Sequence, residues 1–534
     1  MEKIPHHKRF PILTTEGIRS LDAAAKGQNI ATGYELMKEA GFALFERVRD
    51  KRLSPVAVFV GGGNNGGDGL VLAKLLIEKR IPCTVYSLAE KNKFKNEAAM
   101  ALHDFFEAGG KLISVSEDNN RTYARGFALI VDCMLGNGAT GELRPAYAAA
   151  VRDIIAANTP VVAADAPTGY DSHEHRRREP CVHADETLLF GFPRLDAYLR
   201  EGGEVFGKTS FAPLSYPQEL INQFDKHIYL VTEELIPELL PPRDEWGEKR
   251  DQGCALIVAG SKDMPGAAAL CTKAALRSGA GLVTLASPES IMPVLQAKLS
   301  EPVFCSLCDM DGQDCDSVDD RAATFAPAHI PQILAALRHN QALAIGPGLG
   351  ASDCTREAVL ALLPQAHCPA VIDADALNAI ATLNKTVASA TSGACSFIKS
   401  IKIPAVLTPH RREFERLFGA LPAKETEIPE HLRKIAIETG KTILLKGAPT
   451  FIAFDDGCVY VLPCANSGMA KGGSGDVLTG IIAALLAQGL QTNKAALLGA
   501  LLHQKAGKIA REELGAFSML PSDTIRRLPK AFKI

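Results

Sequence analysis

Asn466 to Gly480, NSGMAKGGSGDVLTG, is the stretch whose reading decides the fold of this 534-residue chain. It follows a strand-like run, Gly457 to Pro463, and leads into an apolar run, Val477 to Ala487, that reads as a helix. The glycines at 468, 472, 473 and 475 leave backbone N–H groups uncovered by side chains where that helix begins. Unsatisfied amides at the positive end of a helix dipole bind anions. Asp476 falls in the first turn, placed to act as a general base beside a bound phosphate. A glycine turn with Asp476 as its N-cap fits the local pattern equally well. The rest of the chain tips the balance.

Working outward, the preceding strands end in the same kind of cluster. Cys254 to Ala259 opens the series and runs into Gly260-Ser-Lys-Asp-Met-Pro-Gly-Ala267, which lacks the G-K-[ST] ending of a Walker loop. Leu282 to Ala286 follows a small-residue helix, Ala268 to Ser278. Ala342 to Ile345 ends in Gly346-Pro-Gly-Leu-Gly350, and Ala370 to Asp373 ends in Ala374-Asp-Ala-Leu-Asn378. Ala405 to Leu407 ends in Thr408-Pro-His410, with Glu413 beyond, and Thr442 to Leu445 ends in Lys446-Gly-Ala-Pro-Thr450. Lys446 suits a point-charge phosphate contact, and Gly447 lets a nucleotide approach the backbone. A solvated strand-end lysine and a loop histidine are the plain alternatives for Lys446 and His410.

Upstream of a proline- and charge-rich junction, residues 215 to 252, the pattern is the same. Helices are expected over 13 to 52. A buried strand, Pro55 to Val60, runs into Gly61-Gly-Gly-Asn-Asn-Gly-Gly-Asp-Gly69 and an apolar helix from Leu70 to Lys79. Gly61, Gly63 and Gly66 match G-x-G-x-x-G, and the added Asn64, Asn65 and Asp68 supply oxygens suited to a sugar, a phosphate or a hard monovalent cation. Ala128 to Asp132 leads to a second glycine-rich loop through Arg144, and Pro160 to Ala164 to Asp165-Ala-Pro-Thr-Gly-Tyr-Asp171. All three loops fall beyond the carboxyl ends of strands, where open α/β sheets bind ligands.

The length suggests about three or four domains, or two large ones, and the composition is that of a globular protein: 47% hydrophobic residues, 22% charged and 45 glycines. The strand–loop–helix alternation on either side of the junction favours two large α/β domains. A net charge of −3 gives no nucleic-acid or membrane surface, and no apolar run is long enough to span a bilayer. The first ten residues, MEKIPHHKRF, hold no apolar signal segment. Thirteen scattered cysteines fit a reducing, cytoplasmic setting. Cys305, Cys308 and Cys315 cluster, but three thiols without a fourth ligand read as a surface excursion rather than a zinc site.

In the second half AGSKDMPGAA, ALRSGAGLV, IGPGLG, DADALN, LTPHRREFERL, LLKGAPT and GMAKGGSGDVLTG run in order over about 253 to 500. Together they resemble the ADP- or ATP-dependent NAD(P)H-hydrate dehydratases, which have a ribokinase-like fold. GGGNNGGDG, DCMLGNGATGELR, VVAADAPTGYD and ADETLLFGFPR, over about 10 to 220, resemble the Rossmann-like NAD(P)H-hydrate epimerases. The two occur fused in a bifunctional repair family. The resemblance implies an epimerase domain over 1 to 225 and a dehydratase domain over 226 to 534.

It further implies that Asn64, Asn65, Gly66, Gly67, Asp68, Gly136, Asn137, Gly138, Ala139, Thr140, Gly141 and Glu142 contact the hydrated nucleotide, NADHX or NADPHX. Asn65, Asp132 and Thr168 would hold a potassium ion, and Asp165 would be the acid/base of epimerisation. In the second domain Ala267, Gly348, His410 and Asp476 would face the substrate, with Asp476 as the base and the Gly473, Ser474 and Gly475 amides as the anion hole. Lys446, Gly447, Ala448, Pro449, Thr450 and Gly475 would bind ADP or ATP, with magnesium. A homo-oligomer is expected. This chain departs from the family pattern at Thr168, usually serine, at Arg194, usually lysine, at Arg412, usually glycine, and at Ser467, usually proline. Arginine stays protonated and relays no proton. A ribokinase-like small-molecule kinase fused to a non-catalytic ligand-sensing domain is the alternative reading; an NAD-dependent dehydrogenase lacks a second substrate domain.

Overall fold

Five consecutive buried residues, Val56–Val60, form the strand from which the first sheet is built in both directions. A strand apolar on both faces needs cover on both, and parallel sheets flanked by helices provide it. The computed structural model describes residues 10–27, 32–115, 122–308, 324–386, 392–463 and 465–533. They divide into two units, residues 10–228 and 229–533, against the division after residue 225 expected from the sequence.

The main sheet of the first unit has seven strands: Val56–Val60, Cys83–Ser87, Leu112–Ser114, Leu129–Cys133, Val161–Ala164, Glu186–Phe190 and Lys208–Ala212. Numbered in chain order they lie 3-2-1-4-5-6-7, every pairing parallel. The order reverses between Val56–Val60 and Leu129–Cys133, so a crevice opens there at the carboxyl edge, the position at which doubly wound sheets take ligands. Helices Gly33–Lys51 and Asn64–Glu78 bury Leu44, Phe45, Leu70 and Leu72 against one face of this sheet.

The second unit repeats the scheme at larger size. Its parallel strands are Cys254–Val258, Leu282–Pro288, Val303–Leu307, Ala342–Ile345, Ala370–Ile372, Ala405–Leu407 and Thr442–Leu445. The sheet reverses between Cys254–Val258 and Ala342–Ile345, and beyond Thr442–Leu445 it is extended by the antiparallel strands Thr450–Ala453 and Val459–Leu462. Helix Ser474–Ala487 is buried from Val477 through Ala487, the signature of a core helix rather than an amphipathic one. Among the described residues no helix is long and apolar enough to cross a membrane.

Two helices start earlier than their apolar runs suggest. The first begins at Asn64, not Leu70, so the loop shrinks to Gly61–Gly63 and the asparagines ride on the first helical turn. Glycines inside a helix normally argue against it, but here they are packing contacts. A Cβ on Gly66 would sit 1.9 Å from Gly61 O. The second begins at Ser474, one residue past Gly473, whose φ of +99° suits glycine and turns the chain into the helix. Of the cysteine cluster, Cys315 lies outside the described residues, as do Asp309, Asp311, Asp314 and Asp316; Cys305 and Cys308 lie at the end of Val303–Leu307.

Candidate functional site

In the first unit a cleft of about 540 Å³ opens over the sheet reversal. Asn64, Asn65 and Asp68 reach its wall from helix Asn64–Glu78, Gly136, Asn137, Gly138 and Ala139 from the loop after Leu129–Cys133, and Asp165 from the end of Val161–Ala164. Gly66, Gly67, Thr140, Gly141 and Glu142, expected beside the same ligand, are not among the lining residues. Gly66 and Gly67 pack inward, the latter where a Cβ would meet Met37 Sδ at 2.6 Å, and Gly141 N–H is tied to Asp171 Oδ2 at 3.2 Å. Arg19, Asp22 and Tyr216 complete the wall, and the Tyr216 hydroxyl donates to Asp22. The sequence carries no local motif for these three, because they come from distant segments that fold brings over the strand ends.

Asp165 stands at φ +61°, a left-handed conformation that non-glycine residues rarely adopt. The turn aims its carboxylate into the cleft, where Oδ2 accepts from Asn137 N–H at 3.1 Å and Oδ1 from Arg194 Nη1 at 2.9 Å. Arg194 is 1% exposed, stacks over Phe206 and gives its Nε to Asp196 Oδ1 at 3.2 Å. Burial works against its charge, but Asp196 and Asp165 outweigh that and hold the guanidinium above its ordinary value. Arg194 is therefore an orienting cation for Asp165, a task that needs fixed donors and no proton transfer.

Beneath the cleft, Asp132 is fully buried. Its Oδ1 accepts from Thr168 Oγ1 at 2.8 Å and from Met134 N–H at 3.1 Å; its Oδ2 accepts from Thr168 N–H at 2.7 Å. Burial raises the carboxyl to about 6 against these bonds. Asn65 is the opposite case: both atoms of its amide are buried without a partner. Buried amides without partners are rare and call for a ligand or ion.

In the second unit Lys446 is the centre. Its Nζ lies 2.7 Å from Asp373 Oδ1 and 3.8 Å from Glu413 Oε2. Asp373 is 1% exposed and also accepts from Thr479 Oγ1 at 2.7 Å, so one carboxylate joins the lysine to the helix carrying Asp476. Burial opposes ionisation of Asp373, but Lys446 wins and holds its carboxyl below the usual range. Gly475 fits beside Lys446 because it has no side chain: a Cβ would lie 3.3 Å from Nζ. Asp476 is raised to about 6, by burial first and then by the like charge of Asp373, with Lys446 pulling the other way.

His410 caps helix Arg411–Phe418, its Nδ1 accepting from the N–H groups of Arg412 and Glu413 at 3.1 and 3.3 Å. A neutral His410 therefore carries its proton on Nε2, which lies 3.4 Å from Glu413 Oε1. Gly348, at φ +63°, lies against Ala267, where a Cβ would be 2.8 Å from the alanine methyl. Thr450 Oγ1 donates to Gly447 O at 2.9 Å and closes the turn through Ala448 and Pro449. Of the expected anion-hole amides, Ser474 N–H is spent on Lys471 O at 3.2 Å, which leaves Gly473 and Gly475. Asp373, Glu413 and Thr479 escaped the sequence assignment; Asp373 had the same signal as Asp132 and Asp165, an acid closing a buried strand.

Removing one partner of a buried ion pair leaves a stranded charge. Lys446→Met is therefore expected to destabilise the second unit by about 3–5 kcal/mol, and adding Asp373→Asn to recover much of that loss. Thermal midpoints of the two single variants and the double variant measure the coupling; additive losses would mean that the pair is not one unit.

Residues 33–195 match the family model described as YjeF-related protein N-terminus, and residues 255–530 the model described as NAD(P)H-hydrate dehydratase. The bifunctional NAD(P)H-hydrate repair enzyme Nnr of Moorella thermoacetica is 35% identical over 528 residues, covering 97% of this chain and 96% of that protein. The repair enzyme Nnr of Thermofilum pendens is 32% identical over 89% of this chain and 87% of its own length. The ADP/ATP-dependent NAD(P)H-hydrate dehydratase of Bacillus subtilis, co-crystallised with ATP/Mg2+, is 31% identical over 57% of this chain and 96% of that one, with a TM-score of 0.45. Matched end to end in this way, with a family model on each half, the chain belongs to the bifunctional NAD(P)H-hydrate repair enzymes.

Proposed function

We propose that this protein restores hydrated nicotinamide nucleotides in two steps on one chain. The first unit interconverts the R and S hydrates of NADH and NADPH. The second dehydrates the S form at the expense of ADP or ATP, brought in as the magnesium complex. The observation that carries the reading is Asp476 on the first turn of a buried helix beside the Lys446–Asp373 pair, within a chain that matches repair enzymes along almost its whole length.

In the dehydratase site Asp476 takes the proton of the ring hydroxyl as that oxygen attacks the terminal phosphoryl group. Gly473 and Gly475 amides and Lys446 face the charge that develops on phosphate. Phosphorylation converts a poor leaving group into a good one, and elimination returns the dihydronicotinamide. A small-molecule kinase would stop at the phosphorylated product. Lys446 to Thr450 line the nucleotide, while Ala267, Gly348 and His410 face the hydrate.

In the epimerase site the free amides of the Asn64–Glu78 N-terminus suit the nucleotide phosphates, and Asp165 exchanges the proton. Asn65, Asp132 and Thr168 would hold a potassium ion: the Asn65 amide is buried without a partner, Thr168 and Asp132 are hydrogen-bonded to each other, and all three offer hard oxygen donors. Such an ion would supply positive charge next to Asp132. Potassium is expected to raise the thermal midpoint of the protein relative to sodium, by about 2.7 kcal/mol of stabilisation at a hundredfold excess over Kd. Thr168→Val should lose that increment, and equal midpoints of the unmodified protein in the two salts would remove the site.

The test of function is absorbance of regenerated NADH from a mixed R and S hydrate, with ATP, with ADP and with neither. Nucleotide-dependent conversion of the whole mixture is expected. A phosphorylated product without NADH would transfer the chain to the kinase reading.

A further inference from the structure

One carboxyl in the N-terminal cleft has no structural partner and, beyond the substrate contact expected of it, no part in the chemistry given above. Asp68 sits in the second turn of helix Asn64–Glu78, 8% exposed, with its free edge on the cleft that Asp165 also lines. Among the described residues its carboxyl makes no ion pair and no hydrogen bond. A buried carboxyl kept only for the fold would be paired, because burying a polar group without a partner costs free energy. The glycines on either side hold it in place: Gly67 against Met37, and Gly69 where a Cβ would meet Cys133 Cβ at 2.7 Å.

We propose that Asp68 is the second catalytic carboxyl of this site, the acid that protonates the ring hydroxyl while Asp165 serves the opposite face. This inference rests on the epimerase reading. Burial, then the like charges of Asp165 and Asp22, pushes the Asp68 carboxyl well above its ordinary range and so favours its protonated form. Arg19 also lines the cleft, and Asp132 and Cys133 lie on the strand below. Glu35, Lys38, Glu39 and Glu46 of helix Gly33–Lys51, and Glu97, His103 and Asp104 of helix Asn96–Glu107, form no ion pair with it. The two carboxyls thus sit in different surroundings: both oxygens of Asp165 accept hydrogen bonds, and those of Asp68 accept none.

The chemistry balances with this pair. Hydration of an enamine places the hydroxyl on the ring carbon next to nitrogen. Asp68 gives its proton to that hydroxyl, the C–O bond breaks, and water leaves as the nitrogen lone pair forms a C=N bond. Water then adds to the other face, its proton passes to Asp165, and the C=N pair returns to nitrogen. In the reverse direction the two residues exchange roles, and no oxidant or further reactant is needed.

The experiment follows interconversion of the purified R hydrate by the intact protein in H₂¹⁸O, above the uncatalysed background. The unmodified protein is expected to incorporate one solvent oxygen per inversion. Asp68→Asn, which is isosteric, is expected to lower kcat about 10²–10⁴-fold with a much smaller change in KM. Interconversion without ¹⁸O, or an Asp68→Asn variant as fast as the parent, overturns the proposal. Should that variant fail to fold, the parent alone still decides: its rate must fall as alkaline pH removes the Asp68 proton, and a flat profile overturns the acid role. An unmodified protein that inverts nothing would instead sink the epimerase reading itself.

Discussion

Asp476→Ala is expected to lower nucleotide-dependent NADH formation about 10²–10⁴-fold while R/S interconversion continues at the parent rate. The loss is large because the carboxylate is the only acid in the first turn of that helix, beside the glycine amides that face the phosphate. The pH profile gives a second signature. A base must be deprotonated to act, and burial with the like charge of Asp373 raises Asp476 to about 6. Dehydration should therefore fall as pH drops through about 6, well above the point at which an ordinary aspartate would lose function. Asp373→Asn removes the larger of the two like charges on Asp476 and leaves Lys446 opposed by Asp375, so the acid limb should move to lower pH. A limb that stays in place would separate Asp373 from the tuning of the base. Loss of both activities in Asp476→Ala would contradict independent sites.

Asp165→Asn is expected to remove interconversion, again by about 10²–10⁴-fold, and to leave dehydration of the S hydrate untouched. Supplied with both hydrates and ATP, this variant should stop once the S form is consumed. Asparagine keeps an oxygen for Arg194 Nη1. Asp165→Ala does not, and leaves a guanidinium that is 1% exposed with Asp196 as its carboxylate partner. Both variants lose the counterion, but the alanine variant should melt earlier than the asparagine one, because its buried Nη1 donor also loses its acceptor. Unchanged R/S interconversion in Asp165→Asn would retire the assignment of Asp165.

Much of this was legible along the chain, for identifiable reasons. Parallel strands buried on both faces read as unbroken apolar runs, so Ala342–Ile345, Ala405–Leu407 and Thr442–Leu445 were found to the residue. The strand-end clusters followed, since the loops that close such strands supply the ligand edge. Helix starts were missed by three residues at Ser474 and by six at Asn64, because glycine-rich turns of helix are formed by tertiary contact and not by propensity. The spacing around residue 474 offered three amides, but one is consumed by a backbone bond to Lys471 that only the folded turn creates. Thr479 and Tyr216 were invisible for the same reason. Each meets its partner, Asp373 or Asp22, across more than a hundred residues of sequence.

Helix Ser474–Ala487, apolar on every side, also bears on how the second unit moves. Its central amides are hydrogen-bonded and shielded from water, so their hydrogen exchange should require opening of the whole sheet-and-helix core. Asp476 stands on the first turn of that helix, so the proposed base is held by the core and not by a loop. On that reading any opening needed to admit nucleotide and hydrate would belong to the strand-end turns, such as the one from Lys446 to Thr450, and turnover is expected to follow it.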